Sequence, residues 1–343
     1  MAENEEFQEY GLPRKTHGEA DGTPGAVVLG DGDYRYSVTG EDWGKLPEGW
    51  FYKEATAVAV DQQDRVFVFN RGNMPVIVYD TEGNMIDSWG EGVFKNPHGI
   101  SVDPDGNLFC VDTGDSTVKK FTPAGELLLT LGEANKPAPA MSGKPFSVPT
   151  HVAVDPSNGD FYVSDGYSNA RVHKFTSNGE FISSWGESGT DEGQFNIVHN
   201  IAIDSEGLIY VADRENHRIQ IFDREGKYIN QWVNMARTAA IYIDTRGSED
   251  LVYVGEYFSG IGSNHMGTEL GPRVAVMNTK GETLARVGTE SYGSQHGRFY
   301  TPHGISVDSK GDIYVAEVSH SDYGRGWNID GYLRSMQKLV RQR

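Results

Sequence analysis

Three histidines stand in closely similar settings: His98 in NPHGISVD, His199 in NIVHNIAID and His303 in TPHGISVD. Each lies five residues before an aspartate, namely Asp103, Asp204 and Asp308. Three neutral imidazoles with a fourth position left open are the usual way a protein holds a catalytic zinc. A single histidine ahead of a strand is more simply a turn or core residue, so the chemistry depends on whether folding gathers the three. Other reactive side chains share a second setting, just after a Val/Tyr/Phe-rich run: Arg71 in FNRG, Tyr167 in SDGYSNAR and Arg214 in ADRENHR. A phenol can carry a proton to or from a substrate, and guanidinium groups hold carboxylates through paired N–H donors.

The elements that would position these groups are written as a repeat. HGISVDPDGNLFCVDTGDSTVKKFTPAGELLLTLGE from His98, HVAVDPSNGDFYVSDGYSNARVHKFTSNGEFISSWGE from His151 and HNIAIDSEGLIYVADRENHRIQIFDREGKYINQW from His199 are versions of one unit. Each has four short β-type runs, and the chain's 42 glycines recur beside Asp, Asn and Lys between such runs as turn residues. Such a unit is one blade of a β-propeller. The position five before each strand-ending Asp falls at Thr56, His98, Thr150, His199, Ala239 and His303. These anchors predict an all-β, six-bladed propeller.

Spacing between anchors is uneven because of insertions at 133–147 and 255–272, which we expect to be rim loops or lids. The last blade has a late strand near Met336–Val340 but no fourth strand before Arg343. The segment Tyr34–Gly44, YRYSVTGEDWG, is expected to fill that gap by pairing with the last blade, which removes an exposed edge. Residues 1–33 would then form an arm and 34–343 a single propeller domain.

First strands of a propeller line its central channel and run the same way, so equivalent anchors form a ring at one mouth. Histidine occupies blades 2, 4 and 6 of that ring, while Thr56, Thr150 and Ala239 fill the others. Imidazoles at alternate corners of a hexagon can meet one ion on the axis at about 2.0–2.1 Å. The ends of the second strands share this face, which brings Arg71, Tyr167 and Arg214 to the same mouth. Acids recur there too, at Asp112, Asp165, Asp213, Glu256 and Glu317. They would either take the second N–H of the metal-binding rings or cap turns. His151 and His173 are out of register, and His17, His217, His265, His296 and His320 fall in turns or loops. Among these only His265 and His296 sit on loops able to reach the site. Cys110, in LFCVD, reads as a small core residue.

Beyond the geometry, FNRG, NPHG, SDGYSNARV, HNIAIDSEGLIYVADRENHRIQIF and TPHGISVD resemble NHL-repeat propellers, and more narrowly the catalytic core of the peptidyl-α-hydroxyglycine α-amidating lyases. The resemblance covers nearly the whole chain from about Glu54 onward. It implies zinc on His98, His199 and His303, a tyrosine base at Tyr167, and arginines lining the site at Arg71 and Arg214. It implies cleavage of the C–N bond of an N-acylated carbinolamine into an amide and an aldehyde such as glyoxylate. The family also binds calcium through two backbone carbonyls, which map to Val58 and Ile100, and an aspartate directly after the third histidine. Gly304 stands in that place, so the calcium set is incomplete here. Thr301 replaces a methionine of the family's pocket floor.

Composition narrows the partners. With 49 Asp and Glu against 30 Lys and Arg, the formal charge is -19, which repels phosphate backbones and anionic membranes and speaks against nucleic acid. No apolar run approaches a membrane span. The opening MAENEEFQEYGLPRK has no secretory pattern and the chain has one cysteine, so a cytoplasmic setting is expected. The first reading is thus a metal-dependent lyase acting on a small or short peptide-derived substrate that bears a carboxylate. The alternatives are a non-catalytic propeller that presents its loops to a protein partner, and a metal-dependent hydrolase or lactonase on the same scaffold.

Overall fold

The strand-ending aspartates turn the chain. Asp61, Asp103, Asp204 and Asp308 each accept two backbone N–H groups from the hairpin that follows, at 2.8–3.0 Å. A glycine in the left-handed region completes the turns at Gly106, Gly207 and Gly311, with φ of 84 to 86°. A computed structural model of the chain describes residues 27–39, 43–233, 235–257, 271–288, 293, 295–324 and 333–343.

These hairpins build six antiparallel sheets, one per expected blade. Innermost strands are Ala55–Val60, Pro97–Val102, His151–Val154, Val198–Ile203, Arg237–Asp244 and Pro302–Val307. Second strands are Val66–Asn70, Leu108–Asp112, Phe161–Asp165, Ile209–Asp213, Leu251–Tyr257 and Ile313–Glu317. Each second strand carries a buried aromatic three residues before its end-of-strand polar group: Phe67, Phe109, Tyr162, Tyr210, Tyr253 and Tyr314. These rings feed a core that lies between blades rather than within them, since six apolar clusters each join two neighbouring sheets. Cys110 is buried in one of them, as expected of a small apolar side chain.

The ring closes as the sequence predicts. Tyr34–Val38 pairs antiparallel with Met336–Arg341, through Tyr36 with Arg341, Ser37 with Val340 and Val38 with Leu339. The boundary expected at residue 33 is displaced, however. Val28–Asp31 forms a hairpin with Tyr34–Val38 and gives the last blade a fifth strand. A two-residue Gly32-Asp33 turn, with Gly32 at φ 53°, makes that hairpin, and Leu29 is buried against blade 5. Residues 1–26 and 258–270, which hold most of the expected arm and of the second insertion, lie outside the described residues, as do His17 and His265. No helix among the described residues is long and apolar enough to cross a membrane.

The first insertion is folded down onto blade 3. Phe146 buries its ring against His173 and Phe175, the Met141 N–H donates to the Ser168 carbonyl, and the Gly143 N–H donates to Asn169 Oδ1. The segment clamped in this way is the loop that carries Tyr167.

Candidate metal centre

At five of the six anchors the innermost strand has a β-bulge. The pairing skips Thr56, His98, His199, Ala239 and His303, so each is the extra residue opposite its second strand. A bulge breaks strict alternation and re-aims one side chain. Here it turns the anchors toward the channel axis, and that is how His98, His199 and His303 converge.

The three imidazoles are 1–4% exposed, and one ligand atom from each lies within 4.8 Å of the others. Ring centroids are 4.6 to 5.1 Å apart. Each Nδ1 is bonded to the backbone carbonyl of the next blade's anchor: His98 to Thr150 at 2.8 Å, His199 to Ala239 at 2.7 Å and His303 to Thr56 at 2.5 Å. A carbonyl only accepts, so Nδ1 carries the proton and the lone pair sits on Nε2. Burial, joined by the charges of Arg71, Arg214 and the neighbouring rings, holds all three well below the ordinary histidine range, His303 down to about 3. They are therefore neutral near pH 7, the form that binds a metal.

Tyr167 completes the centre. Its hydroxyl is 2.9 Å from Nε2 of His98 and 2.9 Å from Nε2 of His199. One O–H proton thus faces two buried lone pairs, an acceptor excess that a cation would relieve. The donor set therefore fits a zinc-like ion, with His98, His199 and His303 as its ligands. Tyr167 reaches this point because Gly166 precedes it. A Cβ on Gly166 would lie 1.9 Å from the Val198 carbonyl oxygen, so only glycine lets the blade 3 loop press against blade 4. Burial raises the Tyr167 pKa, while the Arg214 and Arg71 charges pull against it.

Both arginines reach the same mouth with carboxylate partners in place. Arg71 donates from Nη1 to Glu54 Oε2 at 2.8 Å and to Ser321 Oγ, and from Nε to the Pro97 carbonyl. Arg214 donates to Glu215 Oε1 at 2.8 Å, and its guanidinium lies 5.6 Å from the Tyr167 ring centre. Arg237, which sequence reasoning passed over, shares Glu215 at 2.7 Å.

The recurrent acids follow the turn-capping alternative. Asp112 accepts N–H groups of Lys95 and Asn96, Asp165 those of Ser147 and Val148, and Glu317 those of Tyr300 and Thr301. Asp213 takes Asn196 and Glu256 takes Ala236. Every donor lies two or three residues before an anchor. The acids therefore fix the backbone leading into these five anchors, and carbonyls rather than carboxylates orient the rings. His151 lines the channel beyond the trio, His173 bonds Asp165 at 3.2 Å, and His217 ends a short 3-10 turn. His296 is half-buried in a turn before blade 6.

Comparison with known proteins bears on the same features. The family model described as NHL repeat matches residues 146–175, 195–222 and 299–321. Peptidyl-alpha-hydroxyglycine alpha-amidating lyase 1 of Drosophila melanogaster is 34% identical over 256 residues, covering 69% of this chain and 45% of that protein. NHL repeat-containing protein 3 of Homo sapiens is 29% identical over 316 residues, covering 88% of this chain and 86% of that one. The chain spans less than half the length of the amidating relatives it first matches. Among solved structures, a gluconolactonase from Xanthomonas campestris superposes with a TM-score of 0.61 over 94% of this chain and 97% of its own, at 13% identity, a likeness of fold alone. With its blades, bulged histidine anchors and matched repeats, the chain is an NHL-repeat six-bladed β-propeller whose sequence resembles that of the peptidyl-α-hydroxyglycine α-amidating lyases.

Proposed function

We propose that this protein is a zinc-dependent lyase that cleaves the C–N bond of a carbinolamine, an N-acyl-α-hydroxyglycine or a related α-hydroxy-amide, into an amide and an aldehyde such as glyoxylate. The observation that carries the reading is the convergence of three buried imidazoles, one ligand atom of each within 4.8 Å of the others, with the Tyr167 hydroxyl against Nε2 of two of them. Relatives named as amidating lyases support it. Zinc held by His98, His199 and His303 would act as a Lewis acid toward the substrate hydroxyl.

The chain's own groups account for the rest. Tyr167, as phenolate, takes the proton from the substrate hydroxyl. Electrons of that O–H bond form the new C=O, the C–N bond breaks, and the departing amide nitrogen takes a proton back from the phenol. Nothing is oxidised or reduced. Arg214 beside the Tyr167 ring, with Arg71, lowers the cost of the phenolate. Arg214 and Arg71 together also supply the positive field for a substrate carboxylate. Buried side chains around the trio exclude the water that would weaken these interactions. The reading extends to a small or short peptide-derived substrate and a cytoplasmic protein.

A non-catalytic interaction platform is the rival, and the NHL repeat-containing relative is compatible with it. A platform has no use for three buried imidazoles with their tautomers set. A lactonase-type hydrolase shares the scaffold alone. Elemental analysis should find about one zinc per chain, lost in His199→Ala with the fold retained. Incubation with N-acetyl-α-hydroxyglycine should release glyoxylate. Metal-free native protein would defeat the centre itself, and bound zinc without glyoxylate from any N-acyl-α-hydroxyglycine would defeat the substrate assignment.

A further inference from the structure

The blade register singles out one more position. In each blade the second strand has a polar group at or one residue before its end, Asn70, Asp112, Asp165, Asp213, Glu256 or Glu317, and the next residue stands at the same end of the blade. That next residue is Arg71 in blade 1 and Arg214 in blade 4, both already placed beside the trio. In blade 5 it is Tyr257. Its ring centre is 6.5 Å from that of His199 and 6.2 Å from that of His303. Guanidinium groups of Arg214 and Arg237 lie 5.9 and 5.6 Å from its ring. The side chain is 3% exposed, yet its hydroxyl has no hydrogen-bond partner among the described residues. A buried hydroxyl left without a partner destabilises the fold, so its retention at this place calls for a ligand that satisfies it.

We infer that Tyr257 is a specificity-determining residue, whose hydroxyl donates a hydrogen bond to an acyl carbonyl or carboxylate oxygen of the substrate on the blade 5 side of the centre. The inference rests on the lyase reading above. Tyr167 and Tyr257 divide the work. Tyr167 is engaged by His98 and His199 and lies where a proton is to be moved, whereas the Tyr257 hydroxyl has no hydrogen-bond partner among the described residues and stays a protonated donor, since burial, with the nearby Asp322 charge adding to it, raises its pKa well above the ordinary range. Arg214 packs against both rings and couples their positions.

The test is Tyr257→Phe in the zinc-loaded full chain, assayed with N-acetyl-α-hydroxyglycine, alongside the melting temperature, the zinc content and binding of N-acetylglycine by calorimetry. The expected result is a rise of about tenfold in KM and in the Kd for N-acetylglycine, the loss of one hydrogen bond. Zinc content should be unchanged and the melting temperature equal to or above that of the wild type, because phenylalanine removes an unpartnered hydroxyl. A purely structural tyrosine would lower the melting temperature and leave KM alone. If the wild type turns over the substrate and the variant matches it in KM and Kd, the Tyr257 assignment is overturned while the lyase reading stands. If the zinc-loaded wild type neither turns over the first compound nor binds the second, both fall together.

Discussion

At the scale of single residues, the centre separates groups that bind from groups that move a proton. Tyr167→Phe keeps the ring against Arg214 but removes the hydroxyl that sits 2.9 Å from two imidazoles. It should lower kcat by about 10²–10⁴-fold with zinc content unchanged, as loss of a general acid–base group does. A kcat within about threefold of the wild type would remove Tyr167 from the mechanism. Arg71 calls for a different expectation. Its partner Glu54 is buried at 2% exposure, and Ser321 donates to the same carboxylate, so Arg71 joins the rims of blades 6, 1 and 2. Arg71→Gln leaves Glu54 without its cation and should cost about 3–5 kcal/mol in urea unfolding. A variant as stable as the wild type, with activity lost only on carboxylate-bearing substrates, would show instead that its main work is to hold the substrate.

At the scale of the element, one bulge and one glycine decide whether the reactive groups meet. Gly166→Ala would drive a Cβ into the Val198 carbonyl, next to His199, and push the Tyr167 loop off blade 4. It should therefore reduce activity well beyond its effect on melting temperature. A variant with normal kcat would show that the loop has slack. Gly304 makes a similar point, since a Cβ there would lie 2.5 Å from Ala57 Cα, and an aspartate in that place would force blades 1 and 6 apart. Much of this was legible in the sequence. The blades, the ring of anchors, the converging histidines and the closing strand follow from a repeat whose hydrophobic pattern and turn residues agree at every copy. What could not be read was hydrogen-bond register. Nothing in NPHG announces that His98 is an extra residue in its ladder, nor that Thr150 rather than Asp112 holds its Nδ1. Two misses had visible signals: the Gly32-Asp33 turn that adds a strand to blade 6, and the step from Glu256 to Tyr257 that parallels Asp213 to Arg214.

At the scale of the whole molecule, buried neutral histidines tie stability to pH. His98 and His199 are held well below 6.5, His303 at about 3 and His151 at about 4, burial being the largest cause in each. The unfolded chain takes up protons near 6.5 and the folded chain does not. Their contribution is thus fully present above that pH and is lost as pH falls toward the folded values. The slope is up to about 1.4 kcal/mol per pH unit for each histidine. Urea unfolding of the metal-free chain should lose stability steadily from pH 6.5 to 5.0. A flat profile over that window would mean that the rings are already accessible to protons in the native state.

The bond from His303 Nδ1 to the Thr56 carbonyl joins two residues separated by 247 positions, across the seam where the circle of blades is fastened. The hub is in this sense riveted through its own clasp. The outer fastening between Tyr34–Val38 and Met336–Arg341 and the inner bond at His303 belong to the same blade. By linkage, whatever free energy couples ion binding to ring closure acts equally on both. An ion that binds only the closed ring adds its own binding free energy to that closure, so a lesion at the rim that opens the ring should lower metal affinity in step.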